Sequence, residues 1–414
     1  MVFRHKKNIG TISTVVLPTP KISSHLLKIF AIIFPEFLIM GISLGVLPAY
    51  VHNQLLFGNL AVGVVIGTQY AATLCTRHFA GRIADTKGGR VSATTGLIFS
   101  SLSAVFCLLS SSLSSFRLLS LAILIGGRIL LGIGESFLVI GIFTWGFNLV
   151  GSNNTGKVMV WNGMGMYGGM ACGAPLGVFL ATKFSLGIAF GSIMLFPLLS
   201  FGIMLVLPDI VLTKQAAKLP FYKAVQLVWK SGTGLALSSF GFGGIASFIT
   251  LYFIQQSWQG AYLAITAFGA GYIIVRIFLA HLPDKFGGGK VAMISLLVEI
   301  AGQVLIWKAP NATAGICGAG LTGVGMSLVF PSFGVMALKN VLAENRGIAI
   351  AAYNAFFDLG IGLTAPLAGL IAEGGNYSKI YLFGAIAAGI SIVLASLEYN
   401  RSKSNSKGLD ISNN

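Results

Sequence analysis

Four carboxylates stand among almost entirely apolar residues: Glu36, Glu135, Glu299 and Asp358. In a stretch long enough to cross a membrane, a charge near the midplane costs about 2.5–3.5 kcal/mol even on the lenient insertion scale, so such a group needs a partner or a task. The task that suits a carboxylate in lipid is to take up and release a proton, because the neutral acid tolerates burial. Glu135 is the first candidate. It follows Arg128 by seven residues, which puts both on one stripe of a helix about 10 Å apart along its axis, too far for direct pairing. Glu135 reads as a proton carrier, and Arg128 as the cation that tunes it or holds an anionic substrate group; the plain alternative is two charges each neutralised by another helix. Glu36 is a second proton or cation candidate, with direct access to water as its plain alternative. Asp358 is a third, its alternative being a structural hydrogen bond to a neighbouring helix. Glu299 reads as structural, paired with Gln303 one turn later or with a neighbour.

These residues are positioned by a membrane protein. A chain of 414 residues that is 55% hydrophobic and 9% charged, with 54 glycines, is no ordinary soluble protein. Its net charge of +16 is spread over many short loops, not gathered on one face as nucleic acid binding demands. Apolar runs of about 20 residues, the length of a spanning helix, lie near 26–51, 60–80, 91–113, 119–143, 157–180 and 185–207, then near 232–254, 261–281, 291–309, 314–338, 347–372 and 379–399. The expected organisation is an N-terminal tail (1–25), a six-helix half (26–207), a lysine-rich linker (208–230), a second six-helix half (231–400) and a C-terminal tail (401–414). The linker residues Phe221, Tyr222, Val225, Leu227, Val228 and Trp229 alternate with Lys223 and Lys230 as an interfacial helix would. Both tails and the alternate loops hold 20 of the basic residues and the opposite side four, Arg117, Lys183, Lys308 and Lys379. Both termini are therefore expected in the cytoplasm, with no cleaved signal peptide.

The halves repeat one another. Arg77, Asp85, Gly88 and Gly89 recur as Arg276, Asp284, Gly287 and Gly288, and Ala174-Pro175-Leu176 recurs as Ala365-Pro366-Leu367. Such internal duplication marks transporters. Gly163 to Gly168 matches the dinucleotide pattern GxGxxG but follows no strand, so it is a false positive. Gly63/Gly67 and Gly169/Gly173/Gly177 have the small-xxx-small spacing that lets helices approach closely. Cys75, Cys107, Cys172 and Cys317 lack CxxC spacing and the five histidines are scattered, so neither disulfide nor metal is assigned.

Gly81-Arg82-Ile83-Ala84-Asp85-Thr86-Lys87-Gly88-Gly89-Arg90 resembles the loop signature of the major facilitator superfamily, and Arg128 with Gly132 and Gly134 is similar to its fourth-helix signature. The segments around Gly156-Lys157, Trp161-Asn162, Tyr167-Gly168 and Gly173 to Gly177 resemble the YhhS and YfcJ group of arabinose-efflux-like bacterial permeases. Thr86 and Gly89 depart from the usual basic residues of the loop signature. The resemblance implies an all-α fold of 12 transmembrane helices in two pseudo-symmetric halves, a central cavity, and gating by Gly81, Arg82, Asp85, Gly88, Arg90 and the second-copy Asp284. It also implies a multi-pass protein of the bacterial inner membrane.

Tyr50, Tyr70, Trp161, Asn162, Tyr252 and Asn354, with Phe240 and Tyr353, are the aromatic and amide candidates for a substrate pocket. The expected function is secondary transport of a small organic solute by alternating access, proton-coupled efflux of a sugar-like, drug-like or siderophore-like compound. Proton-coupled uptake of an organic anion and a non-transporting membrane sensor are the alternatives. No enzyme activity, cofactor or nucleic acid partner is expected; the proton gradient supplies energy, and the chain is expected to work as a monomer in the bilayer.

Overall fold

In lipid the backbone must satisfy its own hydrogen bonds, and a helix does so within one segment. The computed structural model describes residues 22–150, 155–205, 219–339, 341–342 and 346–411. The first half comprises α1 (Ile22–Ala49), α2 (Asn59–Lys87), α3 (Gly89–Ser112), α4 (Arg117–Val150), α5 (Thr155–Lys183), α6 (Leu186–Ser192) and α7 (Leu195–Leu205). The second comprises α8 (Phe221–Gln255), α9 (Ala261–Leu279), α10 (Leu282–Phe286), α11 (Gly288–Trp307), α12 (Ala312–Leu338), α13 (Arg346–Ile371) and α14 (Ser378–Ile411). The expected tail residues 1–21 and 412–414 and linker residues 208–218 lie outside the described residues.

Eleven helical segments among the described residues are apolar and long enough to span a membrane. The 29-residue α2 is not among them, because its inner face carries Gln69, Thr73 and Arg77, all buried. The expected sixth span is interrupted: Ile193 and Met194 donate to carbonyls three residues back, a tight turn that separates α6 from α7. The candidate interfacial helix is corrected too. Phe221 to Lys230 are the first turns of α8, which continues unbroken to Gln255. Ala224 and Val228 pack in an apolar cluster with Ala349 and Ala352 of α13, while Tyr222, Leu227 and Trp229 are exposed.

The sequence repeat is a structural repeat. Gly88 and Gly287, each at positive φ (99° and 87°), end one helix and open the next. A Cβ on Gly89 would strike the Gly141 carbonyl, and one on Gly288 the Ser332 carbonyl. Likewise Gly132 presses on the Gln69 carbonyl and Gly323 on the Phe268 carbonyl. Such contacts bring helix backbones together where lipid offers no hydrophobic drive. The copies diverge before the loop: α2 runs unbroken to Lys87, whereas Pro283 at the start of α10 marks a break after α9. Two seams join the halves. At one, α2 packs on α13; at the other, α5 packs on α9.

Candidate functional site

Four helices of the first half converge on buried acid. Glu36 on α1, one residue past Pro35, accepts a short hydrogen bond from the Ser100 hydroxyl of α3. It is 3% exposed, so the plain alternative, direct access to water, is not what this structure shows. Glu135 on α4 accepts from Gln69 Nε2 at 2.9 Å, and the Thr73 hydroxyl lies 3.5 Å from the same oxygen. Glu36, Phe37, Met40, Gln69, Leu131 and Glu135 line a small void of about 10 Å³. Two oxygens of that lining, Glu36 Oε2 and Gln69 Oε1, are buried without a hydrogen-bond partner.

One turn beyond Thr73, Arg77 reaches across to the second half. Its Nε and Nη2 donate to Asp358 Oδ2 and Oδ1 at 2.7 and 2.9 Å, a two-pronged ion pair with 6% and 2% of the side chains exposed. Fork geometry of this kind is the strongest arrangement for a guanidinium and a carboxylate. Arg77 Nη1 has no hydrogen-bond partner, and Glu135 lies within electrostatic reach of both Arg77 and Asp358. Gln69, Thr73 and Arg77 recur every fourth residue along one stripe of α2, two turns in all. That stripe connects the acid of α4 to the seam.

Arg128 is fully buried and none of its three nitrogens has a hydrogen-bond partner. It does not bond Glu135, in keeping with their seven-residue spacing, but Glu135, Tyr70 and Cys107 lie within its electrostatic reach. In this interior three carboxylates, Glu36, Glu135 and Asp358, face two guanidiniums, Arg77 and Arg128. One proton makes the set neutral.

The other seam carries different chemistry at matching positions. Arg276, the counterpart of Arg77, donates from Nη2 to the Tyr272 hydroxyl and lies 5.0 Å from that ring's centroid. The Tyr167 ring of α5 lies tilted by 33° against Tyr272 with centroids 3.7 Å apart, and Phe242 and Phe268 complete the cluster.

The pocket candidates scatter. Tyr70 is buried with an unpartnered hydroxyl within reach of Glu135, Arg128 and Asp358. Asn162 donates to Met166 Sδ at 3.2 Å and leaves its Oδ1 without a partner. Trp161 packs edge-on against Phe30, Phe240 packs against Phe383, and Asn354 is buried. Three tyrosines are committed to backbone carbonyls: Tyr50 to Ser110 at 2.8 Å, Tyr252 to Ile306 at 3.3 Å and Tyr353 to Phe330 at 2.7 Å. Of the gating residues, Arg82, Asp85 and Asp284 are exposed at helix ends, and Gly81, Gly88 and Arg90 are partly buried. The expected pairing of Glu299 with Gln303 is not formed. Gln303 donates instead to the Gly241 carbonyl and the Thr322 hydroxyl, and both Glu299 oxygens lack a partner. Gln69, Thr73, Ser100 and Tyr272 carry no expectation from the sequence; Tyr167 enters there only through the resemblance, and Arg77 and Arg276 only as part of the repeat and of the excess of buried arginines that would suit an organic anion.

The family model described as Major Facilitator Superfamily matches residues 29–264 and 232–412. The chain is 42% identical over 363 residues to an MFS-type transporter of Salmonella typhimurium, covering 88% of this chain and 93% of the relative. It is 40% identical over 399 residues to another from Pseudomonas aeruginosa, covering 94% and 98%. Among solved structures, the human organic anion transporter MFSD10 superposes with a TM-score of 0.69 at 15% identity, covering 91% of this chain and all of that one. The Escherichia coli fucose:proton symporter superposes with a TM-score of 0.62 at 14% identity, covering 89% and 98%. At those identities the structural likeness speaks for the fold alone.

Proposed function

From the premise that the chain belongs to the Major Facilitator Superfamily and is a transporter, we propose that it is a proton-coupled secondary transporter of the bacterial inner membrane, exporting a small organic solute in exchange for protons. The observation that carries this reading is the placement of Glu135, bonded to Gln69 and within electrostatic reach of the Arg77–Asp358 pair. When Glu135 holds a proton, Arg77 belongs to Asp358 and α2 is fastened to α13. When Glu135 loses it, a second carboxylate competes for the same guanidinium, the ion pair across the seam weakens, and the halves can rock apart. A ligand moves such an equilibrium only through its different affinity for the two states. The proton has that difference here because it decides how many acids Arg77 must serve. Glu36, held by Ser100 on the same void, is the second proton group, and Arg128 supplies a fixed positive field.

The glycine contacts support an access direction. Where α2 meets α13 between Asn59 and Arg77, a Cβ on Gly63 would strike the Ala365 carbonyl, and one on Gly67 would come within 2.9 Å of the Gly362 carbonyl. Asn59 also donates to the Ala372 carbonyl and accepts from the Tyr377 hydroxyl. The seam is thus shut at the end away from the 81–90 loop. With that loop in the cytoplasm, as the basic residues indicate, the state is closed toward the outside.

The test is proton movement in proteoliposomes under an imposed pH gradient, screened over sugars, organic acids and amphipathic drugs. One solute class should drive proton flux in the wild type, and Glu135→Gln should reduce it at least about tenfold, a loss of about 1.4 kcal/mol or more. Full flux in a folded Glu135→Gln protein would remove Glu135 from the coupling. Flux with the same sign for solute and proton would make the protein a symporter.

A further inference from the structure

The offset of 199 residues that relates Arg77 to Arg276 also relates Gln69 to Phe268 and Thr73 to Tyr272. The offset of 191 that relates Ala174 to Ala365 relates Tyr167 to Asp358. The second seam therefore keeps the arginine of the first and replaces its resident carboxylate by a tyrosine. A guanidinium stays charged at any working pH, and Arg276 is only 4% exposed with Nε unpartnered. Arg77 pairs with Asp358, whereas among the described residues no carboxylate pairs with Arg276. Its neighbours are rings: Tyr272 beneath it, with Tyr167 and Tyr353 within electrostatic reach.

We propose that Arg276, with Tyr272 and Tyr167, binds the anionic group of the transported solute, an organic anion with an apolar or aromatic body. The ligand's carboxylate would take the place that Asp358 holds in the other seam, and the rings of Tyr167, Phe242 and Phe268 would receive its body. Tyr167 also lies within electrostatic reach of Glu135, so the anion and the proton would sit on two sides of one residue. A Cβ on buried Gly163 of α5 would meet the Tyr272 hydroxyl at 3.7 Å, an ordinary van der Waals contact, so a methyl there would face the tyrosine without a clash. This assignment rests on the transport reading above and names its substrate class.

The test uses the purified full chain in detergent micelles, with melting followed at equal ionic strength in sodium benzoate, benzamide or sodium chloride. Benzoate should raise the melting temperature by about 3 °C or more at saturation, and benzamide and chloride should not. Arg276→Lys, which keeps the charge and loses the fork, should reduce the shift severalfold. Tyr167→Asp, which supplies the missing carboxylate from the protein itself, should abolish the shift in a chain that still melts cooperatively, and it carries the test if Arg276→Lys does not fold. An equal shift with benzamide or with chloride overturns the proposal, the first because charge is not read and the second because a free inorganic anion suffices. No benzoate shift in the wild type, or an undiminished shift in Tyr167→Asp, overturns it as well. Glu135→Gln should lose proton movement and keep the benzoate shift, so the failure of this site and the failure of proton coupling are separately visible.

Discussion

The seam between α2 and α13 and the seam between α5 and α9 occupy equivalent places in a duplicated scaffold, yet they are built from opposite chemistry. On α2 the inward stripe is Gln69, Thr73 and Arg77; on α9 it is Phe268, Tyr272 and Arg276. The first stripe spends its polar groups on Glu135 and Asp358. The second spends its rings on Tyr167 and Phe242 and leaves its arginine without an acid. A buried ion pair is directional and is lost abruptly when one member changes partner, whereas stacked rings tolerate sliding. Duplication preserved the arginine and the glycines that set helix distance. The copies differ in what that arginine meets: at one seam an acid, in a buried ion pair that latches α2 to α13, and at the other an aromatic surface with no acid.

That contrast can be broken experimentally, most severely at the latch. Asp358→Asn leaves Arg77 buried and unpaired and should cost about 3–5 kcal/mol, read as a lower melting temperature together with loss of transport. The double variant Arg77→Gln with Asp358→Asn should recover most of the stability and none of the transport; a double variant as unstable as the single would mean that the pair is not the partner of consequence. At the aromatic seam, Tyr272→Phe removes one hydrogen bond to a charged group and should cost about 1.5–3 kcal/mol without destroying assembly. A cost equal to that of Asp358→Asn would erase the distinction between the seams. The smallest effects separate the shut and loose portions of the seams. Gly63→Ala forces a methyl onto the Ala365 carbonyl and should cost about 1–3 kcal/mol, raising thiol labelling of a cysteine placed at the Ile371 end of α13. Gly163→Ala should change stability by less than about 0.5 kcal/mol, and a larger loss would show that the second seam is packed on that side.

Much of the site is legible in the chain alone. Glu36, Glu135 and Asp358 announced themselves because an acid in an apolar run is costly, and all three are buried as that cost demands. The Arg128–Glu135 spacing excluded direct pairing, and none forms. What escaped were the neutral partners. Gln69, Thr73 and Ser100 are unremarkable in a sequence because serine, threonine and glutamine occur throughout membrane helices, and their meaning lies in which acid they face. Tyr50 and Tyr252 looked like pocket walls by residue type, but their hydroxyls answer backbone carbonyls of neighbouring helices. Glu299 and Gln303, one turn apart, looked like a pair; the Gly241 carbonyl and the Thr322 hydroxyl take the amide instead.

By itself the sequence determined the solvent, the helices, the duplication and the family, because hydrophobic runs, glycine spacing and a loop signature are local properties that survive in one dimension. Only the tertiary structure decided which charges meet. Arg77 and Asp358 are separated by 281 positions along the chain and bond at 2.7 Å, and Arg276 has an equivalent place with a tyrosine opposite. Electrostatics in a low-dielectric interior depends on distance in space and on what else is within reach. Helices packed across a seam fix those distances, and no spacing along the chain records them.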